Sequence, residues 1–145
     1  MNNELKHAYQ QALIYACLDD FTGSSALSGV LGGQHGPHIG AWKQASIDFI
    51  YRNLITNLIE VSPYQKSHRG IEPKNLCEML AKDELNSNLT GVSTLWVGVY
   101  FDGTLALEAL VRKHKMLEWE FLNAPIKHEF LGEIFDLYRK SGIEI

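Results

Sequence analysis

Apolar side chains recur at the spacing of an amphipathic helix in four stretches of the chain. In the first, residues 3–20, they share one helical face. In the second, residues 41–58, the apolar arc is so wide that the helix is expected to lie in the core. A third helix is predicted to begin at Pro73, because proline suits the first helical turn. The last, residues 126–141, carries an apolar stripe and ends before Gly142.

A β-signal is concentrated in residues 92–122. An apolar run that contains Trp96 is followed by the dipeptide Asp102-Gly103 and then by a second apolar run. Asp-Gly in this position is a strong sign of a hairpin, in which both turn residues take positive φ. A two-residue turn would place Trp96 opposite Ala109 across the ladder. The pattern therefore predicts two paired strands.

A third strand is predicted from the alternation of apolar and acidic residues over 116–122. The apolar positions are Leu117, Trp119 and Phe121, and the acidic ones are Glu118 and Glu120. Such a strand would be half-buried and would have an acidic outer face. Residues 104–112 stay open between strand and helix, since their Ala-Leu-Glu-Ala-Leu sequence also has high helix propensity.

The remaining segments complete a single predicted domain. Residues 23–40 hold six glycines and Pro37, which predicts a Gly-rich loop with at most a short helical turn. Leu58–Val61 is predicted as a short strand, and Ile143–Ile145 has the composition of an edge strand. A length of 145 residues fits one domain. The expected fold, over residues 1–145, is an α+β domain in which a three-stranded antiparallel β-meander packs against about four helices.

Charge and composition limit the classes of function. The net charge is −4, from 13 basic and 17 acidic residues, so a generic nucleic-acid surface is not expected. No apolar run approaches the roughly 20 residues that span a bilayer, and the first residues do not resemble a signal peptide. The two cysteines, Cys17 and Cys77, fit buried thiols better than a disulfide framework. We expect a cytoplasmic protein with neither a membrane nor a nucleic acid as direct partner.

The chain offers no residue set that predicts catalysis. His35 and His38 have the only spacing that suits a metal, but two imidazoles supply half of a tetrahedral zinc shell. A third ligand would come from elsewhere, for example Asp19 or Asp20, and the alternative is a pair of surface histidines. The Gly-rich loop lacks the G-K-[ST] of a phosphate loop, and no serine stands in a G-x-S-x-G elbow. We expect a protein that is not an enzyme and needs no cofactor.

Acidic residues are the candidates for partner binding. Asp19 and Asp20 end the first predicted helix, where the helix dipole disfavours negative charge. Five more acids lie in the third predicted strand and the last predicted helix, and a helix packed beside that strand would bring them together. These five are Glu118, Glu120, Glu129, Glu133 and Asp136. They are consistent with a solvated surface, or with a face that steers a basic partner.

The whole chain resembles the small cytoplasmic immunity proteins of contact-dependent growth inhibition and related polymorphic toxin systems. The likeness is one of type: a short, acidic α+β domain without a catalytic signature. A second likeness is to an uncharacterised bacterial family, in which a helix ends in a short aliphatic strand and a Trp-Val strand turning at Asn/Asp-Gly follows. The corresponding segments here are Phe49–Val61 and Trp96–Gly103.

The resemblance implies a mechanism without chemistry. Such a protein binds a cognate toxin domain tightly and covers its active site or a neighbouring surface, and many of these toxins are basic nucleases. Contact is then expected at Asp19, Asp20 and the acids of 118–136, with the 23–40 loop as a third candidate. Two other functions stay open. One is a small-ligand- or metal-binding, enzyme-like domain with its site under the Gly-rich loop, and the other is a homo-oligomeric structural subunit.

Overall fold

The computed structural model describes residues 1–83 and 95–145. Seven α-helices lie in these residues, together with two 3-10 helices and three β-strands. The α-helices are α1 (Asn3–Leu18), α2 (Gly23–Ala26), α3 (Ile39–Ile55), α4 (Pro73–Lys82), α5 (Leu95–Gly98), α6 (Leu105–Lys113) and α7 (His128–Lys140). The 3-10 helices are Val30–His35 and Trp119–Asn123, and the strands are β1 (Phe21–Thr22), β2 (Ile59–Val61) and β3 (Tyr100–Gly103). The α+β class is confirmed, whereas the prediction of about four helices is wrong, because short helices were missed.

The four helices predicted from periodicity are present as α1, α3, α4 and α7. Local side chains fix their ends. The Oδ1 of Asn2 accepts the N–H of Leu5 at 2.9 Å and so caps the start of α1. Asn57, at φ 56°, and Gly142, at φ 78°, take the left-handed conformation that follows a helix. Among the described residues, no helix has the length and apolar character needed to cross a bilayer.

The sheet is antiparallel and has the order β1-β3-β2, so its central strand comes last in the sequence. Phe101 of β3 lies opposite Phe21 of β1 on one side and opposite Val61 of β2 on the other. The prediction of three antiparallel strands is confirmed, but the predicted meander over 92–122 is wrong. From 95 to 122 the chain contributes only β3, and residues 92–94 lie outside the described part.

The other residues that were predicted as strands are helical. Trp96 lies in α5, and residues 104–112, which were left open, belong to α6 and its cap. The Oγ1 of Thr104 accepts the N–H of Leu107 at 3.2 Å and donates to the carbonyl of Asn57 at 2.7 Å. This one hydroxyl both starts α6 and ties it to the end of α3. The predicted third strand is the 3-10 helix Trp119–Asn123.

Gly103 has a packing role and does not form a turn. Asp102 and Gly103 lie in β3, and neither has a positive φ. A Cβ on Gly103 would stand 2.8 Å from the carbonyl oxygen of Ala16 and 3.2 Å from the amide nitrogen of Cys17. The missing side chain therefore allows α1 to cross closely over β3. The close crossing explains the glycine of the Asp-Gly pair, and the predicted hairpin turn is wrong.

The predicted Gly-rich loop 23–40 has more regular structure than expected. It contains α2, the 3-10 helix Val30–His35 and the first residues of α3. Leu31, Gly32 and Gly33 have φ of 54°, 85° and 73°, which explains the glycines at two of these positions. A Cβ on Gly33 would also lie 2.5 Å from the carbonyl oxygen of Ser28. At the other end of the chain, the predicted edge strand Ile143–Ile145 is not a strand.

Two buried tryptophans join the central helices. Trp42 of α3 and Trp96 of α5 are each 0% exposed, and their ring centroids are 5.6 Å apart. The indole N–H of Trp42 donates to the carbonyl of Leu27 at 2.9 Å, and that of Trp96 donates to the carbonyl of Leu80 at 3.0 Å. Because both polar atoms are satisfied, the two rings can be fully buried. They connect α3, α4 and α5 with the segment after α2.

Candidate functional site

One face of the sheet is buried and the other carries acidic side chains. Side chains alternate along a strand, so the residues next to the buried Phe101 and Val61 point outward. Asp102 lies opposite Glu60 in the register of β3 and β2. One position before β1, Asp20 continues the same row on the other side of Asp102. We call Asp20, Asp102 and Glu60 the acidic row.

Within the acidic row, Asp20 is repelled by the charge of Asp102. Partial desolvation, and then the charges of Asp19 and Asp102, raise the pKa of Asp20 above its ordinary value. Asp19 is held beside the row, since its Oδ1 accepts the N–H of Asp20 at 2.8 Å. Within the described residues, none of the ion pairs involves Asp19 or the acidic row. Negative charge is therefore concentrated on this face, and no ion pair with a described residue balances it.

Two exposed tyrosines lie in or shortly after the strands that carry the acidic row. Tyr100 occupies the next outward position of β3 and is 39% exposed, and Tyr64, which follows β2, is 90% exposed. Gln65 fixes the segment that carries Tyr64 against β3. Its Oε1 accepts the N–H of Tyr100 at 2.7 Å, and its Nε2 donates to the carbonyl of Gly98 at 2.6 Å. Many protein-binding surfaces combine exposed aromatic rings with charged side chains that are not paired within the protein.

Replacement of Asp102 by asparagine is expected to lower the pKa of Asp20, because one of the charges that raises it is removed. An acid whose pKa is raised by folding costs stability once pH rises through that pKa. The variant should therefore be more stable near neutral pH, by about 0.2–1 kcal/mol, the usual size of a surface charge pair. NMR titration of the Asp20 carboxyl and urea denaturation measure the two effects.

Asp136→Asn is the matched control for this substitution. Asp136 loses the same charge, but it is paired with Arg139 at 2.9 Å on α7 and is not among the groups that shift Asp20. The control should leave the pKa of Asp20 unchanged. An unchanged pKa in Asp102→Asn as well would mean that the carboxylates do not lie side by side.

The acids predicted at 118–136 divide into two groups. Glu118 and Glu120 flank the half-exposed Trp119 at the start of the second 3-10 helix. The ring of Trp119 contacts that of Tyr15 of α1, with centroids 5.8 Å apart. A side-chain hydrogen bond with Glu120, followed by charge repulsion, raises the pKa of Glu118. These two acids are adjacent and unbalanced by any ion pair in the described part of the chain.

The three acids of α7 have different surroundings. Glu133 bonds the ammonium of Lys113 at 2.5 Å, and this hydrogen bond lowers its pKa. Asp136 pairs with Arg139 one turn away. Glu129 lies in the first turn of α7, where the helix dipole favours an acid. Two of the three charges are therefore already balanced within the protein, which makes them weaker candidates for contact than the acidic row.

The two predicted histidines lie at the surface. His35 ends the 3-10 helix, and its Nε2 is 2.9 Å from Nε2 of the neighbouring Gln34. His38 is the N-cap residue of α3 and is also exposed. Across residues 1–83 and 95–145, no group of three or more His, Cys, Asp or Glu side chains is arranged to hold a metal ion. Neither Asp19 nor Asp20 completes a shell with these histidines there.

A groove of about 460 Å³ runs along α1 beneath the first part of the Gly-rich segment. One wall is a stripe of α1 that includes His7, Gln11 and Tyr15, and the opposite wall is residues 25–30. Apolar residues, among them Phe21, line it between the walls. His35 and His38 do not line this groove. A space of this size with a mixed lining suits a small organic ligand.

The two cysteines do not provide a nucleophile. Both are free; Cys77 is buried and Cys17 is half-buried. Burial raises the pKa of each thiol to about 12, so both stay protonated near neutral pH.

Sequence reasoning missed two members of the acidic row. Asp102 was assigned to a turn, and Glu60 was placed in the short predicted strand Leu58–Val61 without a functional role. The alternation of Ile59, Glu60 and Val61 is the signal that could have placed the Glu60 side chain on the outward face. Nothing in the sequence places Glu60, Asp102 and Asp20 side by side, because their three segments are distant along the chain and meet only in the sheet.

Comparisons with models of protein families, with curated proteins and with solved structures gave no match to this chain.

Proposed function

We propose that the protein binds a cognate toxin domain in the cytoplasm and neutralises it by covering its active or functional surface. The observation that carries the proposal is the acidic row on the outward sheet face, which makes no ion pair with the described residues and shares β3 with the exposed Tyr100. The protein would act by occlusion and without chemistry of its own. In this respect it resembles the immunity proteins of contact-dependent growth inhibition.

Electrostatic complementarity indicates that the partner has a basic surface. A row of carboxylates with Asp19 beside it attracts a surface rich in lysine and arginine, such as the substrate cleft of a nuclease. Exposed tyrosines then contribute contact area at a small cost in side-chain entropy. The repulsion between Asp20 and Asp102 costs stability in the free protein, and a basic partner would relieve it. Glu118, Glu120 and Trp119 form a second acidic and aromatic group that could extend the contact.

The first test is genomic and biochemical together. The proposal expects this gene to follow directly the gene of a large secreted toxin, whose C-terminal domain should bind the protein and lose its activity. Association kinetics are measured by surface plasmon resonance at several salt concentrations. A variant with Asp20, Glu60 and Asp102 each changed to lysine should associate about tenfold more slowly, because charge steers the encounter.

The control variant reverses the same number of charges elsewhere. Glu72, Glu78 and Glu144 are exposed and are not part of any ion pair in the described residues. Changing these three to lysine alters the net charge equally but leaves the acidic row intact, so association should slow much less. Equal slowing in both variants would show that only the net charge matters. If the gene of this protein stands alone among metabolic genes, the proposal that its partner is a toxin would be overturned.

A second candidate function is small-ligand binding in the groove along α1. The observation in its favour is the groove itself, which lies where the sequence suggested a site, under the Gly-rich segment. Its polar side chains belong to Glu4, His7, Gln11, Tyr15 and the serines of residues 25–28, and not to His35 and His38. The charge-reversed variant separates the two functions, because none of its three positions lines the groove.

A further inference from the structure

A cavity of about 490 Å³ lies between the end of α6 and the start of α7. Of the residues that line it, four are lysines or histidines and one is acidic. The basic residues are His114, Lys115, Lys127 and His128, and the acid is Glu129. In a chain whose net charge is −4, this is a local excess of positive charge. The lining therefore favours an anion, in contrast to the acidic row.

The start of α7 adds backbone donors to the same cavity. Lys127 is the N-cap residue of this 13-residue helix, and its side chain does not cap the first turn. The amides of the first turn have no acceptor within the helix, and the dipole adds positive potential there. The N–H of Lys127 itself is already used, since it donates to Oε1 of Gln10 at 2.8 Å.

Lys127 is held at the cavity by a hydrogen bond. Its ammonium donates to the carbonyl of His114 at 2.8 Å, and its other two N–H groups make no hydrogen bond with the described residues. Lys115 has φ 58°, a left-handed conformation that glycine or asparagine adopts more easily than lysine. His114 is 10% exposed, and its Nε2 makes no hydrogen bond with the described residues, although Oε2 of Glu133 is 3.5 Å away.

We propose that this cavity binds a small oxyanion, a phosphate or carboxylate group, through Lys115, Lys127 and the first-turn amides of α7. Backbone N–H groups at a helix start together with lysine side chains form a common type of anion site. Among the described residues that line the cavity, Glu129 alone opposes an anion, so it sets a limit on the affinity. The site does not depend on the proposed toxin partner and can be tested in the isolated protein.

The test is an NMR titration of the full chain with inorganic phosphate, and in parallel with acetate, at constant ionic strength kept with sodium chloride. The amides of His128, Glu129 and Phe130 should shift in a saturable way, with a dissociation constant in the millimolar range. The anion that saturates at the lower concentration identifies the ligand class. Shifts that stay linear with concentration, or that spread evenly over the surface, would overturn the proposal.

Three variants decide whether the named side chains are responsible. Lys115→Asn removes one charge and keeps a residue that suits the left-handed conformation, so it should raise the dissociation constant about two- to fivefold. Glu129→Gln should lower it by a similar factor, because it removes the opposing charge. Lys74→Gln, on the exposed side of α4, changes the net charge as Lys115→Asn does and should have no effect. Equal effects of Lys115→Asn and Lys74→Gln would also overturn the site.

Discussion

Replacement of Trp96 by alanine is expected to lower the free energy of unfolding by about 4 kcal/mol, the usual cost of removing a large aromatic side chain from a core. Trp96 is 0% exposed, packs on Trp42 and donates its indole N–H to the carbonyl of Leu80. The substitution removes all of these contacts and leaves that carbonyl without its donor. Urea denaturation should show a lower midpoint with an unchanged slope.

Trp119→Ala is the control for this prediction. Trp119 is 53% exposed, and among the described residues its one aromatic neighbour is Tyr15. Its removal should cost about 1 kcal/mol, in the range measured for aromatic pairs. NOEs between the indole rings of Trp42 and Trp96 test the placement directly. A loss in Trp96→Ala as small as that in Trp119→Ala would contradict the placement of Trp96 in the core.

Trp96 also shows why part of the fold could not be predicted. The long helices α1, α3, α4 and α7 follow from periodicity over three or more turns, a signal that needs no tertiary information. α5 is only four residues long, and its sequence Leu-Trp-Val-Gly is equally apolar on every side. A run this short has no measurable period. Its helical form depends on packing against Trp42 and α4, which the sequence does not display.

In the sheet and the candidate site too, local sequence patterns could be predicted, whereas features that depend on tertiary contacts could not. β2 was predicted as the short strand Leu58–Val61, an apolar segment that Pro63 follows closely. β1 has two residues, too few for any alternation, and it exists because β3 lies beside it. Asp20 was therefore recognised as a charge at a helix end, and its neighbours in the acidic row were not. Pairing between distant segments creates the row, so only the three-dimensional structure shows it.

Replacement of Gly103 by alanine is expected to cost about 2 kcal/mol, because the new Cβ would stand 2.8 Å from the carbonyl oxygen of Ala16. Either α1 or β3 must move, and both belong to the core. Gly132→Ala is the control: Gly132 lies in α7, and its Cβ would meet nothing within 4 Å. That substitution should stabilise the protein by about 0.5–1 kcal/mol, as alanine favours a helix.

Gly103→Asn separates the packing role of this glycine from the hairpin turn that the sequence suggested. In an Asp-Gly turn the second residue has positive φ, which asparagine tolerates well, so Asn would be milder than Ala. In β3 the φ of Gly103 is not positive, and the larger Asn side chain meets the backbone of Ala16 and Cys17. Asn should therefore destabilise the protein at least as much as Ala. If the Gly103→Asn variant unfolds at nearly the wild-type urea concentration, the result would support the hairpin turn and contradict the close crossing of α1 over β3.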